Sequence, residues 1–438
     1  MAGRLSRREF LAAAGAVGAL GATGAWRSLA RAATTTPLPA PLASGIDHIV
    51  VVCMENRSFD HFLGWVPNAN GQQAGLSYPD DNGVLHPTHQ LTDWTGCGFN
   101  DPDHSYAGGR VQYDNGACDG FRKGDNDDYA LGYYTGDQLP TSSQLVSNFT
   151  VCDNYFCSIL GPTYPNRFYT HAAATDRVSN TNTQSVLPTI WDELKSAGIS
   201  ANYYFSDLPF LALWAQKYVD IARPIGEFFV QAASDTLPAY TYLDPFFLGE
   251  DQGASNDDHP HADIRRGQSF LAKVVNALMQ SRAWPNTVLV ITYDEWGGFF
   301  EHVPPPTLPD NDPAHALAGF RVPTYVVSPF APPGIASNQY DHSSILKMVE
   351  WRFGLHSLTP RDLAANNLAE VLDLSGTYTN PATSIPDVTD PGPHVCVGNN
   401  SVGLDSVSVG APTGMGNSEP FWQDLKTSSL LRGWRALV

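Results

Sequence analysis

The chain has 438 residues, 42% hydrophobic and only 16% charged, and its 33 Pro and 38 Gly make up about one residue in six. That composition excludes a coiled coil, a collagen and a disordered acidic tail, and leaves a compact enzyme-like body with long loops. The formal charge is −19; residues 1–32 hold five Arg against one Glu, a net of +4, so the remainder carries −23, which repels nucleic-acid phosphates and offers no polybasic attraction to anionic lipid, leaving a membrane to be met by hydrophobic or headgroup contacts.

At the N-terminus, Ser6-Arg7-Arg8-Glu9-Phe10-Leu11 precedes a weakly apolar Ala/Gly-rich stretch and then Ala30-Arg31-Ala32, a small-x-small cleavage pattern. This resembles a bacterial twin-arginine export signal, so residues 1–32 are read as a signal peptide for that export machinery. The stretch is too short and too rich in Gly to span ~30 Å of hydrocarbon as an anchor. The mature protein is then expected to be secreted or cell-wall associated. Residues 33–44, with their Thr and Pro, read as a linker, and 45–375 as the catalytic domain.

Ile46 to Met54 is a near-continuous β-branched run, the pattern of a strand covered on both faces. Residues 65–145, rich in Gly, Asp, Asn and Tyr, read as a large loop-rich insertion over a site. Within it Cys97 and Cys118 flank a Gly/Asp-rich loop, which makes a surface disulfide between them one available pairing, while Cys53 reads as a buried thiol. Helical patterns at Ile190–Lys195 and Ser269–Met279 alternate with strands at Tyr203–Phe205, Thr287–Tyr293 and Val322–Val327. Such alternation implies an α/β fold with a mostly parallel central sheet flanked by helices. The Pro/Gly/Ser-rich residues 376–438 end in the amphipathic stretch Trp422–Trp434, and are expected to pack on the catalytic domain.

Ligands of parallel α/β sheets bind beyond the carboxyl ends of the strands. Two polar pairs fall there, Glu55-Asn56 after the first strand and Asp294-Glu295 after the one beginning at Thr287. One such pair is usually a helix cap; two, each after a strongly apolar strand, point to oxygen ligands for a divalent cation. A third element is Gly161-Pro162-Thr163-Tyr164-Pro165-Asn166-Arg167. Pro165 suits the first turn of a helix, which puts Thr163 at a helix N-terminus where backbone N–H groups favour an anion.

These residues carry a resemblance. Glu55-Asn56-Arg57-Ser58-Phe59-Asp60-His61-Phe62-Leu63-Gly64, the Gly-Pro-Thr-x-Pro-Asn-Arg element, Asp294 to Pro305 and Asp341-His342-Ser343-Ser344 resemble, in the same order over about residues 45–355, the bacterial and plant non-specific phospholipases C. That family is related to acid phosphatases of the alkaline-phosphatase-like superfamily. The resemblance implies an alkaline-phosphatase-like fold and a metal held by Glu55, Asn56, Thr163, Asp294 and Glu295, with Thr163 also the nucleophile. The phosphatase branch usually has Ser at this position, so Thr163 favours the phospholipase. Glu301 stands before His302 where the family more often has Asp, and the residues after 375 are expected to be too few for the β domains that larger members acting on choline lipids carry, so the resemblance does not imply a preference among lipids.

Cleaving a phosphodiester also needs an acid for the leaving alkoxide, and histidine exchanges protons near neutrality. His104, His259, His302 and His342 lie in polar motif segments and are the candidates. His48 and His61 read as packing residues, and Pro260 makes a strand-like zinc pair of His259 and His261 a poor reading. The expectation is a secreted, metal-dependent phospholipase C releasing diacylglycerol and a phosphorylated headgroup through a phosphothreonine. The alternative is a phosphomonoesterase acting on soluble esters. All-oxygen ligation favours calcium, magnesium or manganese over zinc. The expected partners are phospholipid, met at a membrane surface in passing, and no nucleic acid.

Overall fold

A computed structural model describes residues 37–249, 254–393 and 418–434. The central sheet has eight strands: β1 (His48–Met54), β2 (Thr150–Cys152), β3 (Ala201–Phe205), β4 (Ala222–Pro224), β5 (Tyr240–Asp244), β6 (Thr287–Tyr293), β7 (Tyr325–Val327) and β8 (Gly334–Ala336). Their spatial order is β8-β2-β7-β6-β1-β5-β3-β4. Neighbours are parallel except that β7 runs against both β6 and β2. The sheet is therefore mostly parallel, as the alternating pattern implies.

Every residue of β6 is buried, and every residue of β1 except His48. A strand layered on both faces has no polar side to show, which is why these two read as continuous apolar runs. Pro323 withholds an N–H from the ladder, and the strand expected from Val322 is confined to β7. The layers are built from α1 (Phe59–Leu63), α2 (Tyr106–Tyr113), α3 (Thr163–Ala172), α4 (Ile190–Ser196), α5 (Ile264–Met279), α6 (His342–Phe353) and α7 (Ser418–Thr427). α5 starts earlier than Ser269 because the Asp263 side chain caps it, accepting from the Arg265 N–H.

Residues 65–145 hold short elements: a ribbon of Ser77–Pro79 with Leu85–Pro87, a pair His89–Gln90 with Gly132–Tyr133, α2, a few turns and the start of a helix at Pro140–Asn148. The expected disulfide between Cys97 and Cys118 is not formed. Cys97 is disulfide-bonded, but Cys118 keeps a free thiol turned into the interior, pushed up to about 12 by burial. No helix among the described residues is long and apolar enough to cross a membrane. The signal read at residues 1–32 lies outside the described residues, as does much of 376–438.

Candidate phosphoesterase site

The site begins with strand register. β1 and β6 pair in parallel with Met54 opposite Tyr293, so the next residues, Glu55 and Asp294, leave the carboxyl edge side by side. The Asp294 N–H still donates to Met54 O at 3.0 Å, and the Glu55 N–H donates to Asp257 O at 2.8 Å. The neighbouring β5 ends on a third buried carboxylate, Asp244.

α3 brings a cation to this edge. The Asn166 amide accepts from Ile159 N–H and donates to the carbonyls of Ile159 (3.1 Å) and Gly161 (2.8 Å), locking the Gly-Pro entry to the helix. Thr163 is the first helical residue, with Pro162 as its cap. Arg167 lies one turn later on the same face. Its Nε donates to Glu55 Oε1 and Asp294 Oδ2, each at 3.1 Å, Nη1 to Asp244 Oδ1 at 2.8 Å, and Nη2 to Cys53 O at 3.1 Å. Burial opposes the charge of Arg167, but Cys53, Glu55, Asp244 and Asp294 together hold its pKa well up. Asp294, conversely, is pushed up to about 6 by burial against the pull of Arg167.

The facing wall comes from the insertion and from the segment before α5. Asn56, in the left-handed region at φ 61°, donates its N–H to Asp294 Oδ1 (3.2 Å) and places its amide nitrogen 3.2 Å from His104 Nε2. Gly297, at φ 65°, lets the two loops touch: a Cβ there would stand 2.2 Å from Asn56 O. The Gly297 N–H donates to Glu295 Oε2 at 2.7 Å, leaving Glu295 Oε1 3.7 Å from His104 Nε2. Burial, then the charges of Asp294, Asp101 and Glu55, hold Glu295 well above the carboxylate range. His104 Nδ1 lies 2.8 Å from Pro102 O, and His259 Nδ1 is bonded to Pro260 O. A carbonyl only accepts, so each Nδ1 carries the proton and each Nε2 presents its lone pair. Burial keeps both rings below their ordinary pKa. One ligand atom each of Asp101, His104 and His259 lies within 4.8 Å of the others.

The structure thus brings Glu55, Asn56, Asp294, Glu295, His104 and His259 together, with Thr163 on the helix that carries Arg167. It places the other two histidines differently. His342, first residue of α6, has Nε2 2.7 Å from the backbone carbonyl of Asp294 and Nδ1 3.2 Å from the Tyr155 hydroxyl, so it sits behind the acidic pair. His302 belongs to a separate knot: its Nδ1 bonds Asp60 Oδ2 at 2.5 Å, its Nε2 lies 3.2 Å from Asn70 Oδ1, and Arg321 ties Asp60 to Glu301. His61 packs as read from the sequence, stacked on Phe299 at 3.8 Å.

Sequence reasoning passed over Arg167, Asp244 and Asp101. Arg167 stood in the Pro-Asn-Arg element without a role. Asp244 follows the rule that picked out Glu55 and Asp294, but its aromatic strand, Tyr240-Thr241-Tyr242-Leu243, was not read as one.

Three buried oxygens, Asn56 Oδ1, Thr163 Oγ1 and Glu295 Oε1, have no hydrogen-bond partner. Buried oxygens left short of hydrogens beside carboxylates suit a hard divalent cation, and this donor set fits one.

Comparison with known proteins agrees with this chemistry. The chain is 32% identical over 391 residues to non-specific phospholipase C6 of Arabidopsis thaliana, covering 78% of this chain and 74% of that one. It is 30% identical over 430 residues to phospholipase C A of Mycobacterium tuberculosis, covering 80% and 81%. Among solved structures, a phosphonate monoester hydrolase of Agrobacterium radiobacter aligns with a TM-score of 0.39 at 10% identity, covering 75% of this chain and 77% of that one. Residues 46–356 match the Phosphoesterase family. That span runs from the strand delivering Glu55 past the helix that begins at His342, so the whole carboxylate-lined edge lies inside it, and the chain belongs to the phosphoesterase family, as a hydrolase of phosphate ester bonds similar to the non-specific phospholipases C.

Proposed function

We propose that the protein is a metal-dependent phospholipase C that cleaves glycerophospholipids to diacylglycerol and a phosphorylated headgroup through a phosphothreonine at Thr163. One observation carries this reading: Thr163 Oγ1 is buried and unpartnered at the N-terminus of α3, one turn from the arginine that joins Glu55 to Asp294. A hydroxyl kept from every hydrogen bond is held for another contact. Glu55, Asn56, Asp294 and Glu295 would hold the cation with Thr163, and the cation would supply positive charge for the Thr163 oxygen and the phosphoryl oxygens.

Arg167 spaces the carboxylates from behind, and His342 fixes the peptide that presents Asp294. The Thr163 oxygen attacks phosphorus as its proton passes to an Nε2 lone pair of the wall formed by His104 and His259, and the P–O bond to diacylglycerol breaks. The departing oxygen takes that proton from the same wall. Water then attacks the phosphothreonine, freeing the headgroup phosphate ester and restoring the hydroxyl. His302, tied to Asp60 and Asn70, takes no part in these steps. The arginine pair and cleavage pattern before Ala32 support export by the twin-arginine route to a secreted or cell-wall location.

The test is mass spectrometry of phosphatidylcholine and phosphatidylethanolamine incubated with wild type and Thr163→Ala, with nitrophenyl phosphate alongside. Diacylglycerol with phosphocholine or phosphoethanolamine is expected, lost in the variant. Phosphate release from the nitrophenyl ester with the lipids intact would replace the phospholipase by the phosphomonoesterase. Undiminished activity in Thr163→Ala would remove the nucleophile.

A further inference from the structure

The helix N-terminus that presents Thr163 is a poorer cradle for an anion than its place in the sequence promises. In the first turn of α3 the Tyr164 N–H is spent on Asn180 Oδ1 at 2.8 Å, and Pro165 has no N–H to give. The Asn166 N–H already donates to Pro162 O. That leaves the Thr163 N–H for a phosphoryl oxygen, so further positive charge on the outer side of Thr163 has to come from a side chain.

α2 supplies one. Gly109 lets this helix lie against the segment that leads into Thr163: a Cβ there would stand 2.9 Å from both Leu160 and Trp296. Arg110, the next residue, donates from Nη1 to Leu160 O at 2.9 Å and to Tyr106 O at 2.6 Å, and its guanidinium lies over the Tyr106 ring at 3.2 Å. That ring packs in turn on Gly161, with Cδ2 3.5 Å from where a Cβ would be. Leu160 and Gly161 stand three and two residues before Thr163, so the guanidinium is fixed at the lip of the nucleophile. Gln112 Oε1 accepts from Trp296 Nε1 at 2.7 Å, which fastens the same helix to the loop carrying Asp294 and Glu295.

Charge singles Arg110 out. Arg167 is paired with Glu55, Asp244 and Asp294, Arg321 with Asp60 and Glu301, and Arg361 with Asp310 and Asp341. Arg110 is half-buried, has no ion pair among the described residues, and is held by two neutral carbonyls and a ring. These orient the guanidinium without cancelling its charge. Its Nε and Nη2 make no hydrogen bond among the described residues, and this edge is the one that meets two oxygens with two parallel N–H groups.

We propose that Arg110 is a substrate-binding residue whose Nε–Nη2 edge takes an anionic oxygen of the phospholipid, either on the phosphate at Thr163 or on an acidic headgroup beside it. The inference rests on the phospholipase reading for the lipid, and on the phosphoesterase site through the nearness of Leu160 and Gly161 to Thr163.

The experiment is steady-state kinetics of Arg110→Gln and Arg110→Lys, each checked as folded by circular dichroism. The substrates are monomeric short-chain phosphatidylcholine and phosphatidylserine, with nitrophenyl phosphate alongside. Loss of a hydrogen bond between charged groups should raise KM about 10–100-fold in Arg110→Gln. Lys keeps the charge without the parallel pair of donors, so Arg110→Lys should restore part of the loss. An equal rise on both lipids assigns the contact to the phosphate at Thr163, and a rise confined to phosphatidylserine assigns it to the headgroup. Unchanged KM for both lipids in folded Arg110→Gln, or a fall in kcat alone that Arg110→Lys does not restore, overturns the proposal and leaves Arg110 as a clamp on Leu160 O. If wild type spares both lipids and hydrolyses the nitrophenyl ester, the phospholipase reading fails by itself: a raised KM for that ester in Arg110→Gln keeps the anion contact, and an unchanged KM removes it.

Discussion

Arg167 is the residue on which the resting site depends. Its guanidinium neutralises part of a cluster of three buried carboxylates drawn from β1, β5 and β6. Removing one partner of a buried ion pair leaves the other charged and unsolvated, at about 3–5 kcal/mol. Arg167→Ala should therefore lose about that much stability in urea unfolding without metal, and recover part of it when a divalent cation is added. A change under 1 kcal/mol would show that the carboxylates are protonated there. His342 offers a contrast. Burial pushes its pKa down to about 4, and both its nitrogens are engaged by Asp294 O and Tyr155. In the proposed mechanism it positions the peptide of Asp294 through these bonds. His342→Ala should lower kcat about 10–100-fold, as loss of a group orienting a metal ligand does, with the limbs of the pH profile unmoved. A shifted limb would make His342 the acid instead.

At the scale of elements, the site hangs on the N-terminus of α3, and α7 packs against that point. Phe421 meets the Tyr164 ring edge-on at 4.5 Å, Trp422 stacks on Phe247 at 4.3 Å, and Phe247 in turn lies under the Arg167 guanidinium at 4.7 Å. α7 thereby buttresses both the residue after Thr163 and the arginine behind the carboxylates. Trp422 is fully buried, and truncating a buried Trp costs about 3–5 kcal/mol. Trp422→Ala should show that loss in thermal unfolding together with reduced turnover at temperatures where the chain is still folded. Full activity in the folded variant would make α7 a cover with no bearing on the site. The amphipathic pattern of Trp422–Trp434 was legible in the sequence, but its target was not, because Phe247 and Tyr164 lie far back in the chain and nothing local marks them as its partners.

For the molecule as a whole, buried titratable groups set where in pH it is most stable. Burial holds His61 and His171 well below 6.5, so the folded chain refuses protons that the unfolded chain accepts, and stability falls as pH drops below about 6.5. Glu301 is pushed up to about 7 by burial, and Glu350 to about 9 by burial and the neighbouring Asp362. The folded state keeps these protons after the unfolded state has released them, so stability also falls as pH rises from about 5 through 7 to 9. Melting temperature should peak near pH 5–6, where the two opposing slopes balance, and decline on both sides; a monotonic rise to pH 9 would contradict the burial of these carboxyls.

Some of this protein was settled by the sequence alone. The two most buried strands were legible because strands covered on both faces read as continuous apolar runs, and Glu55, Asn56, Asp294 and Glu295 stood out as candidates because two polar pairs follow such strands, where a single pair would read as a helix cap. What the tertiary structure decided is how the pieces meet. Parallel register set Glu55 beside Asp294, the fold of residues 65–145 carried Asp101 and His104 to the same edge, and α3 turned Arg167 inward. The four histidines were equivalent in sequence, each in a polar motif. Packing separated them, because which nitrogen of a ring is exposed, and to which carboxylate, depends on carbonyls and acids supplied by distant parts of the chain.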